Sequence, residues 1–281
     1  MLQPQDLALT ILGAYTREAG GVVWSGGMVQ LLGEFGFSAS AARAALARLA
    51  IRDLLARHRS GRVVHYALTP RAEMLLASGD ERIFSFGRGE AGGRTWTVLW
   101  HGIPADRRVE RVRLASQLRF LGFGSVQDAT WFAAHSREED VLDILERLEV
   151  RDFTTLMVGR LAPGIDAASL ISEAWNLESV EAGYRSFLHD FGPLGEGRRR
   201  SKLNAQKAFN VRMRLLHAFR GFPAIDPELP DSMGGLESLR REVVSTFEAV
   251  YEGLAEAAAH HFTAVAKPEM RTAPTGPAAG L

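Results

Sequence analysis

Apolar residues recur at helical spacing through most of the first fifty positions. Leu7, Ile11 and Leu12, with Leu9 beside them, give a first helix one apolar face, which Gly20-Gly21 should end. Val22-Val23-Trp24 reads as a small strand or a packed loop. Ser25 offers an N-cap to a second helix carrying Met28, Leu31 and Leu32, closing at Gly36. Ser38 caps a third helix, with Ala42, Leu46 and Leu49 at i, i+4 and i+7 as its buried stripe. The period then changes to two. Val64, Tyr66 and Leu68 alternate after Ser60-Gly61, so Arg57 to Leu68 predicts a two-stranded hairpin with Arg59 to Arg62 at its tip.

Gly87 to Gly93 is a glycine-rich linker. Beyond it Trp96, Val98 and Trp100 alternate as a strand. A helix over 107–121 then shows apolar residues on two sides: Val109, Val112 and Phe120, and Leu114, Leu118 and Leu121. Such a helix needs two covers, its own sheet and a neighbouring domain or subunit. Gly124 to Ala134 predicts a second strand region, and Ser136 with Glu139 a capping box. That box opens a helix striped by Val141, Ile144, Leu145 and Leu148, and Phe153 to Val158 is a further strand. The order β-α-β-(β)-α-β suggests a ferredoxin-like sandwich. From Asp166, a candidate cap, the pattern is helical: Leu170, Ala174 and Leu177; Val180, Tyr184, Phe187, Leu188 and Phe191; Ala208, Val211, Leu215 and Phe219. One last long helix carries Leu236, Leu239, Val243, Phe247, Val250 and Leu254. Lys267 to Leu281, rich in Pro, Ala and Gly, reads as a disordered tail.

The expected fold is therefore α+β. A winged helix-turn-helix occupies 1–86, a ferredoxin-like sandwich for dimerisation or sensing 90–161, an all-helical domain 166–265, and a tail 266–281.

The chain carries 33 basic and 33 acidic residues, so bulk electrostatics do not coat it onto long nucleic acid. Charge is instead concentrated. Between Ser38 and Thr69, Arg43, Arg48, Arg52, Arg57, Arg59 and Arg62 face a single acid, Asp53. A basic helix joined to a basic hairpin tip suits a small footprint on DNA. On the third helix, Ala39, Ser40, Arg43, Ala44 and Ala47 form the outer face. The alanines allow close approach to a major groove, and Arg43 is long enough to reach a base edge or a phosphate. The candidate DNA contacts are Ser25, Ser38, Ser40, Arg43, Arg48, Arg57, Arg59 and Arg62. Arg48 and Arg52 lie off the outward face and fit structural or phosphate-positioning roles. A protein-interaction module with a solvated basic face is the alternative reading.

The absence of cysteine excludes disulfides and thiolate chemistry. Leu7 to Tyr15 is too short to span a bilayer and has no Lys or Arg before it, which suggests an intracellular, cytoplasmic protein. There is no G-x-S-x-G, P-loop or H-E-x-x-H, and the histidines are scattered, so neither an enzyme nor a metal site is expected.

Several segments resemble the PaaX-type transcriptional repressors. They begin with Gly21-Val22-Val23-Trp24-Ser25-Gly26, Leu31-Leu32, Gly36-Phe37-Ser38, Arg43, Ala45-Leu46, Arg48-Leu49, the Arg59 to Arg62 hairpin and Tyr66-Ala67-Leu68-Thr69. Phe120-Leu121-Gly122-Phe123-Gly124, Trp131, Leu216 to Phe222 and Asp226-Pro227-Glu228-Leu229-Pro230 continue it. The family usually has a glycine-containing pair near Asp53-Leu54 and a tryptophan after Pro230, where this chain runs Asp231-Ser232-Met233. The resemblance implies a homodimeric repressor that reads an inverted repeat in double-stranded operator DNA and uses no cofactor. It implies release by an acyl-CoA, typically phenylacetyl-CoA, bound by the middle and carboxy-terminal domains. Candidate residues for that effector are Arg113, Arg119, Trp131, Trp175, Arg199 and Lys202. The cluster from Arg198 to Lys202 could grip phosphates through guanidinium forks, or be a solvated loop beside a helix start. Ile103 to Arg108 and Val126-Gln127-Asp128 also resemble the small ferredoxin-like nuclease of CRISPR adaptation. That nuclease has a metal-binding aspartate where this chain has Gly102, so nuclease activity is not expected.

Overall fold

The computed structural model describes residues 2–17, 21–89, 93 and 95–266. Gly20, the middle of the expected linker and the expected tail lie outside the described residues. The first part of the chain forms α1 (Pro4–Thr16), β1 (Val23–Trp24), α2 (Ser25–Gly33), α3 (Ala39–Ile51), β2 (Leu55–Ser60), β3 (Val63–Leu68) and α4 (Pro70–Ser85). The middle forms β4 (Trp96–His101), α5 (Arg108–Phe120), β5 (Gly124–Gln127), β6 (Thr130–Ala133), α6 (Glu138–Arg147) and β7 (Thr154–Gly159). Helices α7 (Ala167–Ala174), α8 (Leu177–Phe191), α9 (Gly197–Arg200), α10 (Ala205–Phe219), α11 (Glu237–Gly253) and α12 (Ala255–Ala266) follow. The expected last helix is thus two, parted at Leu254. Two compact units result, one from 1–78, 197–217 and 251–281, the other from 79–196 and 218–250.

In the first unit, Leu7, Ile11, Leu12, Met28, Leu31, Leu32, Leu46 and Leu49 are all buried, as their spacing predicts. The small sheet has the order β1-β3-β2 and is antiparallel, with Val23 opposite Tyr66. Ser38 caps α3, its Oγ accepting from the Ala41 N–H at 3.2 Å. Ser25 is not a cap. It is the first residue of α2, Trp24 holds the N-cap position, and no side chain caps the helix. Asp53 takes a left-handed φ of 55°, the conformation in which a glycine is relaxed, and its carbonyl accepts from Thr69 Oγ1 at 2.8 Å.

Helix α12 lies against α2. A Cβ on Gly27 would stand 2.4 Å from the Val265 carbonyl oxygen and 2.7 Å from Ala266 Cα, so only glycine permits this approach. His261 Nε2 meets Glu34 Oε1 at 2.8 Å, Tyr15 stacks on Phe262, and the Arg212 guanidinium lies 3.7 Å over the Tyr251 ring.

In the second unit the sheet order is β5-β6-β4-β7, antiparallel throughout, the arrangement of the ferredoxin-like sandwich that the sequence predicts. Leu99, Leu114, Leu118, Trp131, Val141, Ile144 and Leu145 form one core between the sheet and α5 and α6. Trp96 leaves by the other face and packs with Ile171, Trp175 and Leu229. Val109 and Val112 are 58% and 62% exposed, so no described residue covers that apolar side of α5, which stays open to a neighbouring subunit. One expectation is corrected here. The Ser136–Glu139 capping box does not form. Buried Thr97 takes over the loop instead, its Oγ1 donating to the His135 carbonyl at 2.7 Å and accepting from the Arg137 N–H at 2.9 Å.

Two buried ion pairs tie the rest of this unit. Asp226 accepts from Arg240 Nε at 2.7 Å and Nη2 at 3.1 Å, and from the Tyr184 hydroxyl. The Glu228 N–H donates to Asp226 Oδ1 at 2.7 Å, an Asx-turn that helps hold Glu228 at a left-handed φ of 56°. Glu228 Oε1 then lies 2.7 Å from Arg82 Nη1, and Arg82 also donates to the Pro223 and Phe120 carbonyls. Burial pushes the Glu228 carboxyl upward, but the Arg82 guanidinium and the Gly87 N–H outweigh it and hold it below the ordinary 4.5.

Two measurements check this account. Gly27→Ala should cost about 1–3 kcal/mol, since two backbones rather than a flexible side chain must give way; a thermal melt reads it. The unfolded chain protonates Glu228 before the folded one does, so this group's contribution is complete above about pH 4.5 and is lost as pH falls through the lower folded value. Glu228→Gln should flatten that acid limb of the melting-temperature profile. At neutral pH it should cost about 3–5 kcal/mol, because Arg82 stays buried without its anion.

Candidate functional site

Helix α3 and the β2–β3 hairpin carry the concentrated charge. Along α3, Ala39, Ser40, Arg43, Ala44, Ala47 and Arg48 are exposed, while Ala42, Ala45, Leu46 and Leu49 face the core. Ser40 Oγ sits 3.0 Å from Ser38 Oγ at the start of the helix, so both hydroxyls flank its first turn. No ion-pair partner for Arg43 occurs among the described residues. Arg48 is differently placed. With the Gln5 amide turned so that its oxygen faces the guanidinium, Arg48 Nη2 donates to it at 3.2 Å, tying α3 to α1. Arg52 follows as the C-cap of α3, exposed like the others.

The hairpin turns on two residues, Gly61 and Arg62, between the paired Ser60 and Val63. Gly61 has φ 60° and Arg62 has none of the left-handed kind, which is a type II′ turn with glycine at its first central position. Leu55 is opposite Leu68, Arg57 opposite Tyr66, and Arg59 opposite Val64, so Leu55, Arg57 and Arg59 share a face. Its base packs in the core and its tip projects past the core, which is why the outer two positions are arginine and exposed. Arg59 Nε donates to the Gly61 carbonyl at 3.0 Å and stiffens the tip, while Arg62 is exposed beside it. The first unit therefore presents six exposed arginines between Arg43 and Arg62. Ser25 is half-buried on the first turn of α2, whose N-terminal N–H groups have no side-chain cap.

The six effector candidates divide between the two units. Arg199 and Lys202 are exposed in the first unit; the other four belong to the second. Arg113 is exposed on α5. The Arg119 guanidinium lies 5.1 Å over the Trp131 ring, and Trp131 fills the core on the helix side of the sheet. Trp175 fills the core on the other side, donating from Nε1 to the Gly122 carbonyl at 3.2 Å. Both tryptophans are packing residues. What sequence reasoning passed over is a cleft in the second unit lined by Arg82, Arg88, His135, Arg137 and Glu228. These residues are spread over nearly 150 positions, and no spacing announces them. No group of three or more His, Asp or Glu able to hold a metal ion occurs among the described residues.

Family models match nearly the whole chain. Residues 3–72 match the PaaX-like protein model, 90–171 the PaaX protein central Cas2-like domain, and 175–264 the PaaX-like protein C-terminal domain. The chain belongs to the PaaX family. Within that family's reach, the transcriptional repressor PaaX of Escherichia coli strain K12 is 25% identical over 233 residues, covering 81% of this chain and 73% of that one. The structure of the uncharacterised protein Rv0674 from Mycobacterium tuberculosis shares the fold, with a TM-score of 0.53 at 21% identity over 94% of this chain and 99% of that one. The Cas2-like match falls on the β4–β7 sheet with α5 and α6. Gly102, at the end of β4, donates its N–H to the Phe153 carbonyl and offers no side-chain ligand to a metal. No helix among the described residues is long and apolar enough to cross a membrane.

Proposed function

We propose that the protein is a DNA-binding transcriptional repressor whose α3 and hairpin tip form a winged helix-turn-helix reader of double-stranded operator DNA. One observation carries this reading. Six arginines stand exposed on a helix and the adjoining hairpin, in a chain with no net charge. Family membership and the likeness to a transcriptional repressor support a regulator of transcription rather than an enzyme.

In this reading α3 enters the major groove. Ala39, Ala44 and Ala47 let its axis come close, Ser40 and Arg43 reach base edges, and Ser38 and the open N-terminus of α2 at Ser25 meet phosphate. Arg57, Arg59 and Arg62 lay the wing on the backbone, and Arg48 grips phosphate from its tether to Gln5. With few polar groups on the helix, DNA shape carries part of the specificity.

A two-fold operator needs two copies. The sheet face bearing Trp100 and Met157, 40% and 58% exposed, supplies apolar surface for a homodimer, and Val109 and Val112 supply more. The effector is an acyl-CoA, with phenylacetyl-CoA the leading candidate, and the genes controlled are those of aromatic-acid breakdown. The protein acts in the cytoplasm, where bacterial DNA is. An effector that binds the DNA-free state better than the bound one releases the operator by mass action.

Arg43→Ala should weaken operator binding by about 1–3 kcal/mol and relax the preference at one base position. Arg62→Ala should weaken binding evenly across sequences and reduce the slope of log K against log salt by about 1. Fluorescence anisotropy over a salt series separates the two. Equal affinities for wild type and both variants would remove α3 and the wing from the interface. Trp100→Glu should keep the fold and shift the sedimentation coefficient from dimer to monomer; an unchanged dimer would place the interface elsewhere.

A further inference from the structure

The cleft in the second unit has a volume of about 740 Å³. Its floor is the loop between β6 and α6, where Thr97 fixes both the His135 carbonyl and the Arg137 N–H. Its wall is the end of α4 with Arg82, and Arg88 stands at the rim. Glu228 lies between the two inner guanidiniums and is shared unequally. Arg82 Nη1 is 2.7 Å from it, whereas Arg137 Nη2 is 3.5 Å away.

Arg137 is the less closely paired of the two inner guanidiniums. Its contacts to Glu228 and to Asp140, at 3.5 and 3.7 Å, are both longer than a charge-assisted hydrogen bond. Its Nε is buried and has no hydrogen-bond partner among the described residues, and the same holds for His135 Nε2 and for Glu228 Oε1, whose contact with Arg82 is an ion pair. A buried donor left without an acceptor is costly, and a guanidinium has five N–H groups to place. Burial, together with the Arg82 guanidinium, pulls Arg137 below the ordinary arginine range; Glu228 and Asp140 oppose that only partly. Burial also lowers His135, with Arg137 and Arg82 adding to it against Glu228, so the imidazole is neutral at pH 7. Arg88, half exposed, pairs with Glu248 at 2.6 Å on the outer side, a surface pair that yields readily. The cleft thus holds three guanidiniums around space that one inner carboxylate does not fill.

We propose that this cleft binds a phosphate group, with Arg137 and Arg82 gripping it from within, Arg88 closing from the rim and the Ser136 hydroxyl beside it. A phosphate offers three oxygens to three guanidiniums, whereas a carboxylate offers two and is answered by one fork. The source is either the phosphorylated end of a coenzyme A-type effector or a free phosphate. The site is a property of the second unit alone; only its consequence at the operator rests on the repressor reading above. Arg82 stands on the last turn of α4, the helix that follows β3 in the chain, so a ligand that shares Arg82 with Glu228 acts on the end of that helix.

The test is calorimetry on the full chain with inorganic phosphate, coenzyme A and acetate at one ionic strength. Both phosphate-bearing probes should bind and acetate should not. Arg137→Gln and Arg88→Gln should each weaken binding roughly ten- to a hundredfold. Each variant's circular dichroism and melting temperature are recorded without ligand. If Arg137→Gln fails to fold, Arg88→Gln and Ser136→Ala carry the comparison, as both positions are exposed. Coenzyme A binding far more tightly than phosphate assigns the site to a coenzyme A-type metabolite, and similar affinities assign it to free phosphate. No binding of either at millimolar concentration, acetate binding equally well, or affinities unmoved by the folded variants would overturn the proposal. Promoter binding is measured in parallel on the ligand-free protein. Its failure with phosphate binding intact counts against the repressor reading and leaves the cleft standing. The converse removes the cleft and leaves the repressor.

Discussion

The second unit depends on one constraint: two acidic side chains in its interior, Asp226 and Glu228, must keep their buried partners. Asp226 is 1% exposed and holds Arg240 and Tyr184; Glu228 holds Arg82. Through these three contacts, and the Arg82 bond to the Phe120 carbonyl, the 222–230 segment gathers the ends of α4 and α5, the middle of α8 and the start of α11. Such pairs add little net stability over an apolar packing of the same volume, but breaking one leaves a buried charge. Their value is therefore in fixing one arrangement. Every residue of the Asp226 to Pro230 run has a task in it. Asp226 builds the Asx-turn, Glu228 takes the left-handed φ, and Leu229 fills the core with Trp96 and Trp175. The two prolines restrict the backbone between them.

The first unit follows a different logic. Its core is apolar and its helices are short, so its precision comes from close approach. Gly27 brings α12 onto α2, Ser38 starts α3 cleanly, and Gly61 turns the hairpin in two residues. Alanine on the outer face of α3 continues the same economy, leaving the arginines as the features that project. A neutral chain thus concentrates positive charge where the backbone is already stiff.

Much of this was legible in the residues. The stripe of Ala42, Leu46 and Leu49, the Ser38 cap and the alternation through Val64, Tyr66 and Leu68 are short-range signals, and short-range physics decides them. The sheet of β4 to β7 was legible from element order because few topologies join two such β-α-β units. Ser25 misled by one position, since α2 starts on it and Trp24 holds the N-cap. The Ser136–Glu139 pair misled because a capping residue competes with every nearby acceptor, and Thr97, forty positions away, wins at Arg137. The packing of two effector candidates was not legible: Trp131 and Trp175 each fill a core on its own side of the sheet. The cleft was illegible because Arg82 and Glu228 are brought together only by the completed fold.

On the proposed function, α3 and the hairpin tip recognise a DNA sequence. The most direct test is anisotropy titration of the full chain against its own promoter DNA and a scrambled duplex of equal length, at about 0.15 M salt. The account predicts that the promoter binds at least about a thousandfold more tightly. Equal affinity for the two duplexes would contradict it.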